Sequence, residues 1–162
     1  MSDLTYGRDR LGDLGAATRL EWLVTNGIGG YASGTASGEL TRRYHGLLVA
    51  SLKPPVGRTL LLAKLAESLE LDGDWVDLDT NRWAGGSVAP AGHMHLESFR
   101  LDETVPVWTW AIGATRLEKR VWMEQGENTT FVEYRLAPVH RFPAGCCGNF
   151  CLDGTTATSS KC

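Results

Sequence analysis

The residues best equipped for chemistry crowd into one stretch, EWLVTNGIGGYASGTASGELTRRYHGLLVA, Glu21 to Ala50. Its glycines Gly27, Gly29, Gly30, Gly34, Gly38 and Gly46 sit beside Trp22, Asn26, Tyr31, Arg42, Arg43, Tyr44 and His45. Three chemistries use such a mixture: a loop that cradles phosphate, a run of tight hairpins, or a surface that grips a sugar. A phosphate loop needs Gly-x-Gly-x-x-Gly, or a glycine loop closed by Lys-Ser or Lys-Thr, ahead of a helix N-terminus. Here Ala32 stands where the third glycine would be, no such lysine follows, and nothing behind the run reads as a helix. Turns explain Gly27, Gly29, Gly30 and Gly38, because glycine supplies the positive φ of tight hairpins. They leave the polar aromatic set unexplained. On a strand, TRRYHG would send Arg42 and Tyr44 to one face and Arg43 and His45 to the other, so at least one face meets something polar. Planar rings against sugar C–H faces, with Arg, Asn and His supplying directed hydrogen bonds, suit a neutral polyhydroxylated ligand. Arg and His that satisfy loop backbone are the equal alternative at any one of these positions.

Other candidates are weaker. Asp102, Glu103, Glu118, Glu124 and Glu133 supply carboxylates, but glycoside hydrolysis needs two of them about 5 to 9.5 Å apart across one sugar. Each reads as a solvated charge in a turn or strand, with Glu118-Lys119-Arg120 as an exposed charged edge. No catalytic pair is assigned. His93 and His95 in GHMH share one side of an extended segment, yet no third ligand accompanies them, so a loop contact is preferred to a metal. Cys146, Cys147, Cys151 and Cys162 lack C-x2-C spacing. No metal and no cofactor is expected. Trp83, Trp108 and Trp110 are second-choice sugar platforms, with core packing preferred.

These residues need a scaffold, and the pattern makes it β. Alternating, β-branched or aromatic segments cover residues 18–25, YASGT, TRRYHGLLVASL, HLESFRL, PVWTWAIG, TRLEKRVWMEQG and NTTFVEYRL, with turn residues between them. KPPVGR breaks the chain, and DGD marks a hairpin in TLLLAKLAESLELDGDWVDL, whose first half has helix propensity as an alternative. Strands roughly every ten residues without a βαβ rhythm predict an all-β, twisted antiparallel sandwich. Trp108 and Trp110 share a face, opposite Val107, Thr109 and Ala111, and one of the two faces is core.

The 162 residues, 43% apolar, suffice for one domain. A net charge of -3 gives no reason to expect nucleic acid or an anionic membrane, and no apolar run approaches the roughly 20 residues of a span. The start MSDLTYGRDR lacks the pattern of a secretory signal, so the chain reads as cytoplasmic. Residues 1–14 read as a leader and 137–162 as a tail foreign to the domain, without regular structure.

Two blocks carry a resemblance. EWLVTNGIGGYASGTASGELTRRYHGLLVASLKPPVGRTLLLAKL and FRLDETVPVWTWAIGATRLEKRVWMEQGENTTFVEYRL resemble, in order, the N-terminal domain of bacterial and archaeal-type glycogen debranching enzymes, over roughly residues 15–136. The resemblance implies a supersandwich-like β-domain preceding a helical toroid that holds the catalytic carboxylates of an amylo-α-1,6-glucosidase. On that reading the sandwich is incomplete at its C-terminal end, the helical domain is missing from this chain, and the fragment is inactive alone. The glycine turns would then present Asn26, Tyr31, Arg42, Arg43, Tyr44 and His45 to an α-glucan or to the helical domain, closing one side of a substrate cleft. A free-standing carbohydrate-binding module and a purely structural domain are the other two classes that fit.

Overall fold

In a computed structural model the described residues are 4–138, 149–152 and 155–157, the last two segments as backbone only. The chain opens with β1 (Thr5–Gly7), two single-turn helices α1 (Arg8–Leu11) and α2 (Leu14–Ala17), and the hairpin β2 (Glu21–Thr25) and β3 (Tyr31–Thr35). A loop leads to a second hairpin, β4 (Gly46–Lys53) and β5 (Val56–Leu62), and then to a third, β6 (Glu67–Leu71) and β7 (Asp74–Asp77). The short pair β8 (Thr80–Arg82) and β9 (Val88–Ala91) precedes a 3-10 turn at Gly92–His95. A long meander follows: β10 (Leu96–Asp102), β11 (Val105–Ile112), β12 (Thr115–Met123) and β13 (Thr130–Pro138), with β14 (Asn149–Leu152) and β15 (Thr155–Ala157) last.

Every pairing is antiparallel. The meander with β1 forms a five-stranded sheet in the order β1-β10-β11-β12-β13, and β2-β3-β4-β5 forms a four-stranded one. The fold is the all-β sandwich that the alternation predicts. Alternation is plain in β2, where Trp22 and Val24 are buried and Glu21, Leu23 and Thr25 exposed. The buried set meets Phe99, Trp108, Trp110, Leu117, Val121 and Met123 of the large sheet in one core. Trp22 and Trp108 touch edge to face at 5.3 Å, and each indole N–H reaches a backbone carbonyl, of Thr35 and Ala36 respectively. A buried Trp that satisfies its N–H adds area without a polar penalty.

Several details differ from the sequence reading. The DGD hairpin is present, with Asp72 and Gly73 both at positive φ between β6 and β7, and LLLAKLAESLEL is strand, loop and strand. Residues 18–20 lie before the strand, and 41–45 form a bend and turn instead of a strand. GHMH is a 3-10 turn, so His93 and His95 do not share a side: His93 is buried and His95 half-buried. The leader is built in. β1 pairs with β10, and Leu11 is fully buried in the common core. In the tail, β14 pairs with β6 on the side away from β7, and β15 pairs with β14. The reading of residues 139–148, 153–154 and 158–162, which contain Cys146, Cys147 and Cys162, lies outside the described residues.

The clearest correction concerns Glu118-Lys119-Arg120. β12 lies between β11 and β13, so it is no edge. Glu118 and Arg120 share one face and pair across β11 with Arg100 and Asp102 of β10. Lys119 points the other way, is only 8% exposed, and meets Glu67 of β6 at 2.6 Å. Its ammonium also lies 5.3 Å from the Trp108 ring centroid. Tyr134 of β13 donates to the same Glu67 oxygen, and burial first, then the Glu67 charge, raises its phenol well above its ordinary range. This cluster ties β6 to the large sheet. Because a buried charge left alone is costly, Lys119→Met should destabilise by about 3 to 5 kcal/mol in urea unfolding. Adding Glu67→Gln, which removes the stranded charge and still accepts from Tyr134, should recover much of that loss; equal stabilities of the single and double variants would contradict it.

Candidate functional site

The loop joining β2 to β3 is organised by Asn26. Its side-chain oxygen accepts from the Ile28 and Gly30 amides at 3.1 and 2.9 Å. Its amide group donates to the Glu127 carbonyl at 2.8 Å and to Asn128 Oδ1 at 3.1 Å. Asn128 in turn brackets Ser51 of β4, accepting from its amide and donating to its carbonyl, both at 2.9 Å. Two side-chain amides thus stitch the β2–β3 loop, the β12–β13 loop and β4 together. Asn26 is fully buried with every donor and acceptor engaged, so its work is internal. Gly27, Gly29 and Gly38 do have positive φ, of 78°, 98° and 80°. Gly30 does not: a Cβ there would come within 2.5 Å of the Asn26 amide, so the position needs space and not a special turn.

Beside this loop lies an open groove of about 630 Å³, whose lining includes Glu21, Leu23, Tyr31, Tyr44, His45 and Arg58. Tyr31 donates its hydroxyl to the Tyr44 carbonyl at 3.1 Å, and Ser33 donates to the same oxygen at 3.3 Å. Those bonds hold the 41–45 turn against β3. Arg58 reaches over from β5, donating to the Gly29 carbonyl at 2.9 Å with its guanidinium 5.8 Å from the Tyr31 ring centroid. Tyr44 is half exposed and meets His45 edge to face at 5.5 Å. His45 is buried. Burial lowers its pKa below the ordinary 6.5, with Glu21 opposing and Arg42 reinforcing the shift.

Of the six expected binding residues, the structure brings Tyr31, Tyr44 and His45 into the groove. Arg42 lies outside the lining and spends its charge on Glu21 at 2.8 Å, while Arg43 is exposed and also outside it. The alternating faces expected for residues 42–45 are absent because the segment turns, closed by the His45 amide on the Arg42 carbonyl at 3.0 Å. Sequence reasoning missed Glu21 and Arg58. Glu21 carries a usable signal, since it is on the exposed phase of β2. Arg58 carries none, because only the tertiary meeting of the Pro54–Pro55 hairpin with Gly29 brings it there.

Among the described residues, Glu21 is the one carboxylate that lines the groove. A second, smaller space of about 50 Å³ lies in the core, lined by Trp22, Trp108, Trp110, Glu67 and Lys119 among others, and admits water-sized guests. Trp108 and Trp110 are core; Trp83 is 60% exposed and lines neither space. Among the described residues no group of three or more His, Cys, Asp and Glu is placed to hold a metal. No helix among them is long and apolar enough to cross a membrane.

The family model described as glycogen debranching enzyme N terminal matches residues 20–143. The chain belongs to this family. The match spans β2 to the end of β13, including every residue of the groove and of the Asn26 network. It also runs past residue 136, where the sequence reading ends the domain. No curated protein and no solved structure matches the chain.

Asn26→Asp keeps the shape but replaces two donors with a buried charge, so it should lower stability by about 3 kcal/mol or more in urea unfolding. A change under about 0.5 kcal/mol would show that the stitch is dispensable. pH gives a second check. His45 and His93 both titrate below their ordinary value because of burial, so the unfolded chain binds more protons than the folded one in mild acid. The stability they contribute is complete above about pH 6.5 and is lost as pH falls through their folded pKa values. The thermal midpoint should therefore drop on acidification from neutral pH, and less so in His93→Asn.

Proposed function

We propose that this chain is the non-catalytic, N-terminal glucan-contacting part of an amylo-α-1,6-glucosidase. The observation that carries the reading is the open groove lined by Tyr31, Tyr44, His45 and Arg58 in a chain of the debranching family. An exposed tyrosine face beside directed donors is what a neutral glucan chain needs: C–H surface against the ring, hydroxyls to the polar groups. Catalysis belongs to a separate helical domain, which supplies the pair of carboxylates that glycoside hydrolysis needs. The cellular setting that fits is the cytoplasm, where glycogen is broken down; nucleic acid has no part in it.

A packing role has its own support. Every residue of β5 is exposed, Val56, Leu60, Leu61 and Leu62 among them, with Leu52 nearby on β4. So much apolar surface on one edge hairpin is what a domain interface looks like before its partner is docked. Groove and edge divide the two tasks, with glucan held at Tyr44 and the helical domain held at β5.

Calorimetric titration of the folded chain with branched and linear α-glucan oligosaccharides tests the reading. Saturable binding is expected, weakened at least about fivefold by Tyr44→Ala or Arg58→Ala, the order of one stacking or hydrogen-bonding contact. Arg43→Ala should leave it unchanged. A folded chain with no glucan affinity would leave only the packing role.

A further inference from the structure

The turn at residues 41–45 holds a titratable contact internal to the protein. Thr41 N–H donates to His45 Nδ1 at 3.3 Å. A ring nitrogen that accepts a backbone N–H carries no proton, so the neutral imidazole bears its hydrogen on Nε2. Nε2 lies 4.0 Å from Glu21 Oε1, the same oxygen that accepts from Arg42 Nε at 2.8 Å. The ring is only 2% exposed, with the Tyr44 ring edge-on against it. Glu21 faces it from β2, and Arg42 and Tyr44 from its own turn. Arg58 of β5 and the Tyr31 hydroxyl of β3 engage neighbouring groups, the Gly29 carbonyl and the Tyr44 carbonyl, and not the imidazole.

We propose that His45 is a proton-operated latch on this turn: the neutral ring pins Thr41 and fixes the Tyr44 wall of the groove, and protonation at Nδ1 releases it. With a proton on both nitrogens, Nδ1–H would point at the Thr41 N–H, two donors head-on, and the contact turns from attraction to repulsion. The charged ring is drawn at Nε2 toward Glu21, which it must then share with Arg42. Both changes pull on one short turn. Its Tyr44 carbonyl is held by Tyr31 and Ser33, so displacement passes to β3 and the groove floor. Burial keeps the ring neutral around pH 7, which sets the closed turn as the resting state and mild acid as the trigger. The latch depends on the turn alone and holds whether or not the groove takes a glucan.

Nuclear magnetic resonance on the full chain tests it without any ligand. At about pH 7.5 the His45 ring nitrogens should report the Nε2–H tautomer. As pH falls from about 7.5 through the His45 titration, Thr41 amide protection, corrected for intrinsic exchange, should fall about tenfold or more and track that titration. His45→Asn, whose side-chain oxygen can take the place of Nδ1 as acceptor, should keep Thr41 protected across that range. The Nδ1–H tautomer at neutral pH, or Thr41 protection that does not follow the ring's titration, overturns the proposal. If the variant fails to fold, the tautomer and titration of the unmodified chain still decide it.

Discussion

The contact on which the rest of the molecule depends is that of Trp108 with Trp22 across the two large sheets. A sandwich is stable only when both inner faces lose water together, and two indoles meeting edge to face supply much of that buried area in one place. Trp108 does more than fill space. Its N–H ends the polar account of the chain leaving β3, its ring lies tilted on Phe99, and the Lys119 ammonium sits over it. The lysine then fixes Glu67, and Glu67 fixes β6. One aromatic centre therefore sets the separation of the sheets, the exit of the β3 loop and the position of a third sheet.

Around that centre the loops are held by side-chain amides instead of by repeating backbone ladders. Asn26 and Asn128 join segments about a hundred positions apart, and through Ser51 they include β4. Loops tied in this way can carry a surface of fixed shape. The groove sits against the tied loop, and its other walls come from the 41–45 turn and from Arg58. The arrangement separates tasks: amides and glycines hold the backbone, while the exposed face of Tyr44 remains available.

Several of the charged side chains among the described residues are used in pairs. Glu118 and Arg120 are matched across β11 with Arg100 and Asp102, and Arg42 is matched to Glu21. Surface pairs of this kind add little stability, so their effect is to fix side-chain geometry near the sheets. Lys119 with Glu67 differs because both side chains are buried, so removing either member leaves an uncompensated charge inside the protein.

Much of the fold was legible in the chain because period-2 burial is a local signal. EWLVT, VPVWTWAI and TRLEKRVWM each announce a strand, and DGD announces its hairpin. The family is written in the two blocks that the match covers. The sequence also named Tyr31, Tyr44 and His45 by residue type alone. Other features depended on who lies next to whom. TRRYHG alternates like a strand yet turns, since His45 folds back onto Thr41 and Arg42. Glu118-Lys119-Arg120 looks like an edge and is interior, because a strand's neighbours are chosen by pairing far along the chain. Asn26 looks like a ligand contact but is spent on residues 127 and 128, and Arg58 enters the groove from a hairpin that nothing in its own sequence directs there. Sequence determined the elements and the family because both reside in local pattern; tertiary structure decided which polar side chains remain free, because that depends on partners brought from elsewhere in the chain.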